Sequence, residues 1–182
     1  MPIDYDGTNT SSQRTYCAAT STTLVCPAGT KSFFSMMGSA TKLILINRIY
    51  VSGLTMTSPA YNNIVIRKIS SVPSGGTSSS LTKVSLDTIN PDSTANTCSV
   101  YTVEPTTDGT LVGTLQSKRV LINNTSAAAG DQQAVTQFDF NGDTNTDIIL
   151  RGVNQGISLA FGTTPASAIT LSLELCWLEI DN

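Results

Sequence analysis

Histidine is absent from the chain. That excludes Ser-His-Asp and Cys-His catalysis and every histidine-ligated zinc or iron site. Charge is sparse too: 13% of residues are Asp, Glu, Lys or Arg, about half the usual share. A phosphate-binding surface needs clustered Lys and Arg, and the basic residues here are scattered. Arg67-Lys68 and Lys118-Arg119 are the only adjacent pairs, and neighbours on a strand point to opposite faces. With a net charge of −3 and a pI near 4.7, no nucleic-acid partner is expected. No apolar run is long enough to span a membrane as a helix. The start M-P-I-D-Y-D has no basic n-region and no apolar h-region, so no secretory signal and no membrane partner are expected. A-G-T-K-S at 28–32 lacks the order and spacing of a phosphate-binding loop. No catalytic residue, cofactor or metal ligand is assigned, and the chain is expected not to be an enzyme.

Cysteine is also scarce. Cys17, Cys26, Cys98 and Cys176 are too few and too scattered for a disulfide framework or a zinc ribbon. They read as buried free thiols, with a Cys17–Cys26 loop disulfide as the alternative.

What is abundant is Ser and Thr, about a quarter of the 182 residues. Thr favours strands, while Ser, Gly, Asn and Pro favour turns. That composition predicts an all-β chain of one domain, large enough for a real core. Its clearest stretch is the last, residues 168–180 (A-I-T-L-S-L-E-L-C-W-L-E-I). Ile169, Leu171, Leu173, Leu175 and Trp177 alternate with Thr170, Ser172, Glu174 and Cys176, the period of a strand with one buried face. Ile157, Leu159 and Phe161 repeat the pattern, and G-T-T-P-A-S at 162–167 carries hairpin punctuation, so a terminal hairpin is predicted.

Earlier strands are predicted at 43–51 (L-I-L-I-N-R-I-Y-V, largely buried), 61–69, 81–86, 97–103, 111–122 with a bulge near Gly113, 135–140 and 148–150. Met36-Met37 reads as core filler. Residues 70–80 and 87–96 are predicted loops. About ten short strands at regular spacing, with no amphipathic helix, predict a β-sandwich of jelly-roll type. Residues 1–30 are polar and weakly patterned and are assigned to an extended N-terminal arm; residues 31–182 form the sandwich.

One segment has the look of chemistry. Asp139, Asn141, Asp143, Asn145 and Asp147 place oxygen-bearing side chains at every second position. This resembles the calcium loops of dockerins and of integrin-type propeller repeats, in which such oxygens converge on a hard cation. The Gly expected after the third ligand is Thr144, with Gly142 one position early, and there is one copy. A tight turn uses the same residues, and both readings stay open.

Four stretches together resemble a family of small virion proteins of tailed bacteriophages. They are N-R-I-Y-V-S-G at 47–53, the block from Tyr61 to G-T-L-V-G-T-L-Q-S at 109–117, I-I-L-R-G-V-N-Q-G-I-S-L at 148–159, and L-S-L-E-L-C-W-L-E at 171–179. The resemblance covers roughly residues 40–180. It implies a β-sandwich that decorates and stabilises the phage head, docked on the major capsid protein or another virion protein. Such proteins are often homotrimers. Localisation in the virion after assembly in the host cytoplasm would follow. The alternative is a tail- or fibre-associated module that recognises a host glycan or receptor. Sugar binding calls for exposed aromatics; Trp177 falls in the core row, which leaves Tyr61 at a strand start. Arg151 reads either as a docking residue or as an edge residue whose stem covers apolar surface.

Overall fold

The computed structural model describes residues 14–87, 89, 93, 96–124, 135–140 and 148–181. Thirteen strands are formed and no helix is present among the described residues. In chain order they are β1 (Arg14–Ala19), β2 (Leu24–Cys26), β3 (Ser32–Met37), β4 (Lys42–Met56), β5 (Ala60–Ile69), β6 (Thr77–Ser80) and β7 (Lys83–Ser85). They continue with β8 (Thr97–Val103), β9 (Leu111–Asn124), β10 (Thr136–Asp139), β11 (Ile148–Arg151), β12 (Gly156–Phe161) and β13 (Ile169–Asp181).

One sheet runs β7-β1-β13-β4, with β2 on β13 and with β10 and β11 on the far edge of β4. The other runs β6-β8-β3-β12-β5-β9. The tip of β9 pairs parallel with the end of β4 (Thr55 with Asn123, Met56 with Asn124) and joins the two into one curled, mixed, jelly-roll-like β-sandwich.

β13 is the axis of the first sheet. Ile169, Leu171, Leu173, Leu175 and Trp177 are each at most 2% exposed. Burying such side chains stabilises by about 1.5–3 kcal/mol apiece. Tyr16 of β1 stacks on Trp177, with ring centroids 5.9 Å apart. Glu179 continues the buried phase, and its Oε1 accepts hydrogen bonds from Trp177 Nε1 (3.0 Å) and from Ser93 Oγ.

The predicted terminal hairpin is not formed. β13 lies between β4 and β1, whereas β12 lies between β3 and β5 of the other sheet. Segment 162–167 crosses between sheets and is pinned to β5 by Asn62, which donates to Thr163 O (2.9 Å) and accepts from Thr163 N. The physical reason lies in β12 itself, which is buried on both faces. Ile157, Leu159 and Phe161 enter the core, while Ser158 and Ala160 are 0% exposed on the other side. Small residues there mark a central strand under a cover, not a wet face.

That cover is formed by segments 70–76 and 104–110. Tyr101 Oη donates to Pro73 O (3.2 Å), and Ser74 and Thr107 exchange backbone hydrogen bonds. Gly76 (φ 70°) allows the approach, since a Cβ there would stand 2.4 Å from Val103 O. Asp108 ties the cover down: Oδ1 accepts from Ser32 N (2.7 Å) and Ser32 Oγ, and Oδ2 pairs with Arg67 Nη1 (2.7 Å). The predicted loop 70–80 thus contains a strand, β6, and an ordered turn.

β4 explains why 43–51 reads as continuously apolar. Its buried residues are Ile44 and Ile46, then Ile49 and Val51, then Leu54 and Met56. The phase resets twice, where β4 has one residue more than β13 opposite Asn47 and near Gly53. Gly53 has φ 65°, a conformation that other residues adopt only under strain. Two bulges hide the alternation from a period count.

The arm assigned to residues 1–30 is corrected from Arg14 onward. β1 and β2 are strands of the first sheet, paired with β13. Their alternation is faint because β1 buries Tyr16 and Ala18, 3% and 2% exposed, and a small Ala and a Tyr between polar residues make a weak apolar row. Residues 1–13 lie outside the described set.

The cysteine assignment is also corrected. Cys17 does not pair with Cys26; it is bonded to Cys176, its direct neighbour across β1 and β13. Only strand register brings residues 159 positions apart to that contact. Cys26 and Cys98 are buried free thiols. Burial pushes the Cys98 thiol up to about 12, with Glu179 adding to the rise and Lys83 opposing it. Closing so long a loop restricts the unfolded chain, so reduction is expected to lower stability by about 2–4 kcal/mol. Urea unfolding with and without a phosphine reductant measures this, and Cys17→Ser should reproduce the reduced value.

Candidate interaction surface

β9 differs from the other long strands. β4 and β13 are flanked on both sides, but β9 pairs with β5 on one edge only, until Asn123 and Asn124 meet β4. Its other edge is open from Leu111 to Ile122 among the described residues. An open edge presents unpaired backbone N–H and C=O groups to a partner.

Two bulges shape this edge. Leu115 and Val112 have no partner across β5, because the register steps from Gln116 to Thr114 and from Gly113 to Leu111. Both side chains are left outside, 47% and 57% exposed. The bulge anticipated near Gly113 is therefore present, and it re-aims apolar residues outward.

Farther along, Leu121 faces Tyr61 across the strands and Arg119 faces Asn63. Tyr61 is 63% exposed, and the Arg119 guanidinium lies 4.6 Å from its ring centroid. An exposed Tyr, Arg and Leu side by side have the composition of an interface anchor. Lys118 turns the opposite way. Its Nζ donates to Gln137 O and sits 5.0 Å from the Phe138 ring centroid, bracing β10. The Lys118-Arg119 pair splits between two faces, as strand geometry requires. Between β9 and β11 opens a cleft of about 480 Å³, with Leu115 and Ile149 at its rim and Phe140 and Ile157 in its wall.

The other residues singled out in the sequence take varied places. Trp177, Met36 and Met37 are core residues. Arg151 is exposed at the end of β11, and its backbone N–H donates to Gln155 Oε1 (2.9 Å). Of the calcium-loop residues, Asp139 ends β10 and its Oδ2 accepts from Gln137 Nε2 (3.0 Å). Asn141, Asp143, Asn145 and Asp147 lie outside the described residues. Leu115, Leu121 and Arg119 were not nominated by the sequence. Only Gly113 and the Tyr61 strand start pointed toward them.

No family model matches the chain, and no curated protein matches it. Among solved structures, the infectious bursal disease virus Gx strain is similar at a TM-score of 0.16 and 11% identity, over 93% of this chain and 42% of that one. The VP2 subviral particle of infectious bursal disease virus is similar at 0.15 and 13%, over 100% and 46%. The chain thus spans less than half the length of either.

Proposed function

We propose that this chain is a non-catalytic structural protein of a tailed-phage virion, a head decoration protein that docks on the shell and stabilises it. The observation that carries the reading is the open, apolar edge of β9 with the Tyr61–Arg119–Leu121 group beside it. Joined to a strongly packed sandwich, this edge suits a rigid module that attaches to a protein lattice or to its own copies as a trimer. The sequence resemblance to small phage virion proteins supports the same assignment. Assembly takes place in the host cytoplasm, where thiols stay reduced, and the Cys17–Cys176 bond closes after release.

Quantitative mass spectrometry of purified particles tests this. A copy number equal to that of the major capsid protein, or a simple fraction of it, supports decoration. Absence from particles sinks the reading. For the docking surface, Leu121→Lys in the Tyr61→Ala background is expected to weaken binding to undecorated shells at least about tenfold, with the melting temperature unchanged.

The second reading is a tail- or fibre-associated module that binds a host glycan. The exposed Tyr61 favours it, since sugars stack on accessible rings. A few copies per particle and a glycan-array signal lost in Tyr61→Ala would select it.

A further inference from the structure

The bonded pair Cys17–Cys176 has a third chemical neighbour. Glu174 precedes Cys176 by two residues on β13, and one ligand atom from each of Cys17, Glu174 and Cys176 lies within 4.8 Å of the others. We propose that, once the disulfide is reduced, Cys17, Cys176 and Glu174 form a binding site for a thiophilic divalent cation of the zinc type. The proposal stands independently of the assembly reading.

Geometry comes first. The two cysteines are directly opposite on antiparallel strands, with Cα atoms 4.3 Å apart. A tetrahedral ion with metal–sulfur bonds of about 2.3 Å needs its two sulfurs about 3.8 Å apart. Rotation about χ1 of either residue opens the pair to that separation without moving a strand. β1, β13 and β4 hold all the backbones in one sheet, so the site is organised before the ion arrives.

Charge is next. Arg48 Nη2 lies 3.7 Å from Cys176 Sγ and 3.9 Å from Glu174 Oε1. Two thiolates, one carboxylate and one guanidinium sum to −2, which a dication neutralises. Arg48 and Glu174 are about half exposed, at 44% and 45%, so the arginine can turn outward and yield the carboxylate. Beside Cys176 is a cavity of about 310 Å³, lined also by Asn47 and Asp139. Asn47 Oδ1 is buried with no hydrogen-bond partner, an acceptor for a water held in that cavity.

The chemistry balances. A cellular thiol pair reduces the disulfide, supplying two electrons and two protons and becoming a disulfide itself. The S–S bond breaks, two thiols form, and each releases its proton to solvent as the ion binds. Exchange with a small-molecule disulfide, which takes up the two electrons and two protons and leaves as two thiols, restores the bond and expels the ion.

The test uses the full chain, reduced with a phosphine under argon and titrated with Co²⁺. One Co²⁺ per chain with thiolate-to-cobalt charge-transfer absorption in the near ultraviolet is expected, displaced by Zn²⁺ and absent from the oxidised protein. Cys17→Ser should abolish the band. Glu174→Gln, which leaves both thiols and the fold intact, should weaken Co²⁺ at least about tenfold. Cys98→Ser should leave the band unchanged. Absence of the band in the reduced wild type overturns the site, as does a band that survives Cys17→Ser. An affinity indifferent to Glu174→Gln removes the carboxylate from the ligand set.

Discussion

Trp177→Ala is expected to lower the unfolding free energy by about 3–5 kcal/mol, the range for deleting a large buried aromatic. The side chain is 0% exposed and stacks on Tyr16, so its removal leaves a cavity and strips β1 of its main packing partner. It also takes the indole N–H from Glu179, a carboxylate only 3% exposed. Because whole domains are stable by only about 5–15 kcal/mol, Trp177→Ala is paired with Trp177→Phe. The phenyl ring keeps part of the packing but loses the donor and some of the buried ring volume, so its cost is expected to fall below that of Trp177→Ala, at about 1–3 kcal/mol. Urea unfolding followed by circular dichroism reads both. A loss below about 1 kcal/mol for Trp177→Ala would contradict its place in the core.

Asp108→Ala is expected to cost about 2–4 kcal/mol. One carboxylate accepts from Ser32 N, from Ser32 Oγ and from Arg67 Nη1. The Arg67 and Asp108 side chains are 18% and 26% exposed, so water only partly replaces what is lost. Ser32, itself 0% exposed, keeps a backbone N–H with no acceptor. Asp108→Asn retains an oxygen for Ser32 and loses the ion pair, and should lie between wild type and Asp108→Ala. The decisive readout is local. Backbone amides of 70–76 and 104–110 should exchange faster, because Asp108 ties that cover to β3 and β5. Unchanged exchange with lowered global stability would place the effect elsewhere.

The amino-acid pattern by itself determined the class and much of the strand content. Alternation over Ile169–Trp177 needed no context, because one face of β13 is buried along its whole length. The Thr97–Val103 strand, the strand from Leu111 and the Gly113 bulge were equally legible, since side-chain period and glycine conformation are local properties. Which strands are neighbours was decided only by tertiary structure. β12 and β13 each look like half a hairpin, yet they lie in different sheets because loops bury the second face of β12. The phase resets of β4 are a matching of two strands and leave no trace in either alone. Tyr16 and Ala18 read as a polar arm until Trp177 supplies their partner. The Cys17–Cys176–Glu174 cluster joins residues far apart in the chain through register, and local spacing could only offer Cys17 with Cys26. The open edge of β9 has the same origin: a strand's own residues state its faces, but only the assembled sheet leaves one edge without a neighbour among the described residues.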